Sequence, residues 1–257
     1  MDDFIKLERE FNARLGVFAI DMKTEKKISY RGDERFAFAS TYKALAVGAL
    51  LLKKSLKDLE QIITFRKEDL VTYSPITVLQ VENGMTLKEI AAVAICYSDN
   101  TAGNILLKEL GGPFGFERAL RDIGDMDTMS NRFEPDLNDT VPGDLRDTST
   151  PRALATSFQA FTTSDLLPDE KQALLNGWLR ENTTGDTLIR AGIPEGLDIG
   201  DKSGAASFGT RNDLAIVWPP DNKTIVIAIL SCRNTKNAKF ADALIAKTAK
   251  MIIKALL

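Results

Sequence analysis

The chain is 257 residues long, 44% hydrophobic and 27% charged, which is enough apolar material for a large core in one domain or two interleaved ones. Its 33 basic and 36 acidic side chains give a net charge of −3 with no extended Lys/Arg block, which argues against a nucleic-acid partner; no apolar run reaches the ~18–20 residues of a membrane helix. Histidine is absent, which removes every Ser-His-Asp or Cys-His nucleophile and nearly every catalytic zinc site, so a serine enzyme built on this chain must use lysine or a carboxylate as its base.

In chain order, MDDFIKLEREFNARLG reads as a polar amphipathic helix without a signal-peptide apolar region, as expected of a cytoplasmic protein or of the mature part of an exported one. LGVFAIDM and KKISYRG flank the polar KTEK and predict an antiparallel hairpin. Next comes FAFASTYKALAVGALLLKK, where Thr41 to Leu52 predicts a buried helix that sets Lys43 on the same face as Ser40. A buried ammonium is unfavourable unless paired; taken alone, such an S-x-x-K is a cap followed by a snorkelling lysine.

From about residue 40 to 180 the apolar spacing is helical, as in TLKEIAAVAICYS, NTAGNILLKEL, FGFERALRDIG and RALATSFQAFT, with breaks at Gly84, Gly111-Gly112-Pro113 and Pro151. Ser98-Asp99-Asn100 falls between two of these helices and alone reads as a cap. NRFEPDLNDTVPGDLRDTSTP is aperiodic; loops beyond about 12–15 residues in a compact domain are usually functional or disordered. DIGDKSGA, TRNDLAIVWPP and TIVIAILSCR predict three more strands, punctuated by Gly204, Gly209 and a turn at Pro219-Pro220-Asp221-Asn222. Gly204 is poor mid-strand and points to a ligand approaching the backbone closely. AKFADALIAKTAKMIIKALL predicts a helix covering one sheet face. Cys96 and Cys232 lie in apolar runs and read as buried free thiols. Together these elements predict an α/β protein of the α+β type: an antiparallel five-stranded sheet from both chain ends, flanked by helices, with an inserted all-α domain. The cleft between the two is the default ligand site.

S-x-x-K, S-D-N and K-S-G, in that order in a chain without histidine, are far more specific together than singly. In this set the sequence resembles the class A serine β-lactamases. RFEPDLN resembles their Ω-loop signature, RDTSTP its closing segment, and GTRND and TTGDTLIRAG look like the Gram-positive, Bacillus-type penicillinases. The resemblance covers essentially the whole chain. It implies the fold shared by serine β-lactamases and penicillin-binding transpeptidases, with residues 1–38 and 182–257 forming the sheet domain, 39–181 the all-α domain, and the Ω-loop at about 131–148. One departure follows TYSP, where relatives usually carry a polar Glu-Lys-His run and this chain has Val78, Leu79 and Gln80, a change expected beside the cleft.

The resemblance further implies hydrolysis of β-lactams, penicillins and some cephalosporins, through a serine acyl-enzyme, and so resistance to these antibiotics. Ser40 would be the nucleophile, with the backbone N–H groups of Ser40 and Ala205 as oxyanion hole. Lys43, or Glu134 acting through a water, would take the first proton, and the resemblance leaves both open. Ser98 would relay a proton to the leaving nitrogen, and Glu134 would activate the water that clears the ester. Lys202, Ser203 and Arg211 would meet the substrate carboxylate, Asn100 its acylamino chain, and Asn138 the water. Tyr73 and Gly204 complete the substrate-binding set, and Ala206 and Ser207 edge the acyl-side-chain pocket. Arg132 and Asp147 would pair across the neck of the Ω-loop, and the Glu134–Pro135 peptide would be cis. No metal or organic cofactor, nucleic acid or membrane is implied. The protein is expected to be a monomer in mature form, secreted or held in the cell envelope. The alternatives are a penicillin-binding D,D-peptidase, which shares the three motifs but lacks the Glu134 feature, and an inert binder of β-lactams or cell-wall peptides.

Overall fold

The computed structural model describes residues 2–220 and 223–257. Residues 221 and 222 of the expected 219–222 turn lie outside the described residues. In chain order the elements are α1 (Asp2–Phe11), β1 (Arg14–Asp21), β2 (Lys27–Tyr30), β3 (Phe36–Ala37), α2 (Tyr42–Lys53), β4 (Ile62–Ile63), β5 (Met85–Thr86), α3 (Leu87–Cys96), α4 (Asn100–Leu110) and α5 (Gly112–Asp122). They continue with β6 (Thr148–Ser149), α6 (Pro151–Thr162), α7 (Asp169–Arg180), α8 (Ile189–Gly192), β7 (Asp198–Ala206), β8 (Thr210–Trp218), β9 (Ile225–Cys232) and α9 (Asp242–Leu256).

β1, β2 and β7–β9 form the five-stranded antiparallel sheet, in the order β2-β1-β9-β8-β7, so both ends of the chain meet in it. β9, IVIAILSC, is central and almost wholly buried because successive side chains enter two different cores. Ile225, Ile227 and Ile229 pack with Phe4 and Leu7 of α1 and with Leu244, Ile245 and Ile252 of α9. Val226, Ala228 and Leu230 face the helices contributed by the middle of the chain, among them Leu45 and Leu50 of α2 and Phe158 of α6. A sheet with an apolar layer on each face needs a continuous hydrophobic strand at its centre, and the sequence supplies one.

Local signals fix the helix ends that shape the cleft. Thr86 and Glu89 form a reciprocal capping box on α3. Asp99 caps α4 through the Ala102 N–H, and Gly111, at φ 96°, ends it. Thr150 caps α6 with Pro151 in its first turn. The expected helix at Thr41 begins one residue later, at Tyr42, because Ala39–Thr41 forms a separate 3-10 turn. Both cysteines are free; Cys96 is buried and Cys232 half-buried. Val78 and Leu79 are 50% and 71% exposed at a surface turn, while neighbouring Thr77 carries the inward contact. At these two positions the departure therefore falls on the surface and not in the core.

Candidate active site

Ser40 sits in the 3-10 turn that leads into α2, not at the helix cap that S-x-x-K alone suggests: its side chain makes no capping bond and is turned to Lys43 and Glu134. The turn is pinned from two sides. Asn212 of β8 donates to Ala37 O at 2.8 Å and Phe38 O at 3.1 Å, and the Phe38 N–H donates to Asp147 O at 3.1 Å. Gly204 of β7 lies against it; a Cβ there would stand 3.2 Å from Ala39 Cβ, Phe38 O and Ser40 N. The close backbone neighbour of Gly204 is the turn carrying Ser40, which sets Ser40 N–H beside the strand bearing Ala205, and Gly204 also lines the cavity in front of Ser40.

Lys43 is wholly buried, and its Nζ donates to Ser40 Oγ (3.1 Å), Ser98 O (2.8 Å) and Asn100 Oδ1 (2.6 Å), with Glu134 Oε1 at 3.2 Å. Glu134 Oε1 is also 3.4 Å from Ser40 Oγ. One lysine thus touches the nucleophile, a carboxylate and the S-D-N segment at once. Burial pushes its amine below the ordinary lysine range, opposed by the charge of Glu134. Lys202 Nζ donates to Ser98 Oγ (3.0 Å) and Ser203 O (2.9 Å), so Ser98 bridges the two lysines through its carbonyl and its hydroxyl. Burial first, and the charge of Lys43 second, pull Lys202 down to about 7. Ser203 Oγ shares a 2.6 Å bond with Thr184 Oγ1.

Behind this face of the sheet, Asp201 accepts from Arg190 Nε (2.5 Å) and Asn182 Nδ2 (2.6 Å). Asp213 is completely buried, and desolvation together with the Asp201 charge holds its carboxyl well above the usual carboxylate range. These carboxyls moderate the fall of Lys202.

The Ω-loop presents Glu134 and Asn138 to the same point. Asn138 Nδ2 donates to Glu134 Oε2 at 2.5 Å, and its buried Oδ1 has no hydrogen-bond partner among the described residues. The Glu134–Pro135 peptide is cis. At the loop's neck the fully buried Asp147 accepts from Arg132 Nε (2.5 Å) and from the N–H groups of Asn131 (2.8 Å) and Arg132 (3.0 Å). Ser207 joins the loop to the β7–β8 turn, since its Oγ accepts from Thr140 N (2.9 Å) and its N–H donates to Asn138 O (3.1 Å).

Ser40, Tyr73, Ser98, Asn100, Asn138, Ser203, Gly204, Ala205 and Arg211 line one cavity of about 270 Å³, with Lys43, Glu134 and Lys202 buried in its walls. Two of the expected binders are already engaged. Arg211 Nε bonds Asp242 Oδ1 at 2.8 Å and stacks on Phe240, and Asn100 spends one N–H on Thr72 O. Ala39, Tyr73, Ser98 and Asp147 all have positive φ (47°, 62°, 57° and 55°), a conformation non-glycine residues adopt at a cost of order 1–3 kcal/mol each. Such strain gathers where a structure over-determines its backbone.

Several groups support the site in ways the sequence reading did not single out. Asn104 clamps the Glu134 backbone, Oδ1 accepting from Glu134 N and Nδ2 donating to Glu134 O, both at 2.8 Å. Its signal is helical spacing, one turn beyond Asn100 on the same face of α4. Asp99 accepts from Ile76 N, Thr77 N and Thr77 Oγ1, so it ties the Tyr73 segment to the S-D-N turn besides capping α4. Asn212 is visible only as part of GTRND.

A search against protein-family descriptions matches residues 1–256 to the β-lactamase enzyme family. Among curated relatives, the β-lactamase of Bacillus subtilis (strain 168) is 58% identical over 250 residues, covering 97% of this chain and 82% of that protein. The β-lactamase of Bacillus licheniformis is 56% identical over 255 residues, 99% of this chain and 83% of the relative. The crystal structure of a halotolerant bacterial β-lactamase superposes with a TM-score of 0.98 at 53% identity, over 100% of this chain and 99% of the other. The class A β-lactamase from Clostridium kluyveri DSM 555 gives 0.98 at 50% identity, over 99% and 97%. With the fold, the site and these relatives in agreement, the chain belongs to the β-lactamase enzyme family, in class A, whose members are hydrolases of β-lactams.

Proposed function

We propose that the chain opens penicillins, and a narrow range of cephalosporins, through an ester on Ser40 that a Glu134-activated water clears. The observation carrying this reading is the buried contact set of Ser40 Oγ, Lys43 Nζ and Glu134 Oε1, all within 3.4 Å of one another. Ser40 Oγ attacks the ring carbonyl carbon, and its proton leaves to Lys43 or, by way of a water, to Glu134; both acceptors stand at the same oxygen. The developing oxyanion is received by the N–H groups of Ser40 and Ala205, a contribution worth ~10²–10³ in rate per donor in enzymes of this chemistry. As the C–N bond breaks, the Ser98 hydroxyl protonates the departing nitrogen and is recharged from the lysine side. Lys202, Ser203 and the free edge of Arg211 hold the substrate carboxylate, and the second N–H of Asn100 meets the acylamino carbonyl. Glu134 then takes a proton from a water held with Asn138 Oδ1, the resulting hydroxide attacks the ester carbonyl, and as the C–Oγ bond breaks that proton returns, directly or by way of Lys43, to Ser40 Oγ, which frees the serine and the product acid.

In this reading, residues 1–38 with 182–257 and residues 39–181 are the two units that bound the cleft. The protein works as a secreted or cell-envelope monomer on small molecules, with no nucleic-acid, membrane or cofactor partner. Among the described residues, no helix is long and apolar enough to cross a membrane and no three His, Cys, Asp or Glu side chains converge as a metal site. Turnover of a chromogenic cephalosporin and of benzylpenicillin tests the mechanism. Sustained multiple turnover is expected, whereas a single stoichiometric burst would mark a D,D-peptidase and no reaction an inert binder.

A further inference from the structure

A second cavity, of about 480 Å³, shares no lining residue with the one around Ser40. It opens where residues 140–146 of the Ω-loop face Arg35, the β7–β8 turn at Phe208, and Arg233 just beyond β9. Its lining carries four guanidiniums but only two carboxylates. Arg14 is paired with Glu34 at 2.6 Å and stacked 4.0 Å over Phe36, and Arg146 is paired with Asp144 at 2.6 Å. Arg35 donates to Thr148 Oγ1 at 3.2 Å; among the described residues, neither Arg35 nor Arg233 has a carboxylate partner. Two uncompensated cations thus share one half-enclosed space in a chain whose net charge is −3.

The cavity is held open by its own framework. Phe208 N–H donates to Lys236 O at 2.9 Å, and Phe208 O accepts from Arg233 N at 2.6 Å. Gly209 leaves room for the Arg233 stem, since a Cβ there would meet Cδ and Cγ at 3.1 and 3.2 Å. Phe36, Phe208, Val141 and Pro142 supply apolar walls between the charges. Two guanidiniums lining one cavity together with apolar side chains suit two carboxylates on an apolar body, each able to accept a charge-assisted fork of hydrogen bonds.

We propose that this cavity is a binding site for small dicarboxylates with an apolar body. Hydrolysis of a β-lactam breaks the ring C–N bond and adds water across it, leaving a new carboxylate and a secondary amine. The reaction therefore turns a monocarboxylate into a dicarboxylate, so the opened product, unlike its substrate, carries one carboxylate for each of the two uncompensated arginines; this arm rests on the family's hydrolytic activity, the site itself does not. Thr140 lines the cavity and is bonded to Ser207, which is bonded to Asn138 O, so an occupant stiffens the segment next to the Glu134–Asn138 pair.

The test is titration of the isotope-labelled full chain with phthalate, followed by amide NMR at constant ionic strength. Saturable shifts are expected at residues 140–146, Phe208 and Arg233, with benzoate at least tenfold weaker. Arg35→Gln with Arg233→Gln should weaken phthalate at least tenfold while chromogenic cephalosporin turnover without phthalate stays within twofold of the parent; Arg233→Gln alone gives the same direction if the double variant is unstable. In Ser40→Ala, benzylpenicilloate should reproduce the cavity shifts and intact benzylpenicillin should not. Phthalate binding without penicilloate binding keeps the site and rejects the product as its occupant. Non-saturable shifts, shifts confined to the Ser40 cleft, or binding indifferent to both arginines would overturn the proposal.

Discussion

Replacing Asp147 by asparagine removes a charge that the Ω-loop's neck is built around. The native carboxylate is fully buried and accepts three hydrogen bonds, two from backbone N–H groups and one from Arg132 Nε. An asparagine oxygen can keep the two backbone donors, but its amide then faces the guanidinium donor to donor. A hydrogen bond to a charged group contributes about 1.5–3 kcal/mol, and stranding one partner of a buried ion pair costs about 3–5 kcal/mol. Arg132 keeps some solvent and its bond to Asp139 O, which places the loss at the lower end, about 3 kcal/mol. For a domain of this size each kcal/mol moves the thermal midpoint by roughly 2–4 °C, so a fall of about 6–12 °C is expected by differential scanning calorimetry. Glu134 and Asn138 ride on this loop while Ser40 and Lys43 do not, so stopped-flow kinetics should show deacylation slowed at least tenfold and acylation retained. A thermal midpoint within 1 °C of the parent, with deacylation unchanged, would refute the reasoning.

Lys202, held near pH 7, is cationic below that pH and neutral above it, so kcat/KM for benzylpenicillin should fall on the alkaline side, chiefly through a rising KM. Lys202→Arg keeps the charge and should carry that limb upward by a pH unit or more; an unmoved limb would show that another group titrates there. Asn104→Ala removes both bonds to the Glu134 backbone and should lower stability by about 2 kcal/mol and accumulate acyl-enzyme under steady turnover, as read by quenched-flow mass spectrometry. Turnover and stability equal to the parent's would remove Asn104 from the loop's support.

From the residues alone, what could be read was whatever is local; the Arg132–Asp147 pair and the gathering of Glu134 with Ser40 and Lys43 came only through the family resemblance. The strands, the helices and the order of S-x-x-K, S-D-N and K-S-G depend on neighbours within a few residues, and the structure sets them close to where the periodicity does. What could not be read depends on chain distance. Asn104 meets Glu134 thirty residues away, and Asn212 reaches back to Ala37 and Phe38 across the whole inserted helical region. No spacing rule carries either pairing. Gly204 is only half legible for a related reason: a glycine announces that something comes close, and only the fold shows that the backbone of the Ser40 turn is one of its neighbours. Arg211 could be recognised as a cation facing a carboxylate, but not as one already paired with Asp242 of α9. The second cavity leaves no signal at all, since its arginines come from four separate segments.

The central claim is that Glu134 clears the Ser40 ester, and intact-mass spectrometry of Glu134→Ala mixed with benzylpenicillin tests it most directly. General-base catalysis is typically worth ~10²–10⁴-fold, about 3–5 kcal/mol of barrier. One added penicilloyl group is expected on Glu134→Ala, persisting for minutes or longer, with no adduct on Ser40→Ala. Normal turnover by Glu134→Ala, or an adduct on Ser40→Ala, would contradict the account.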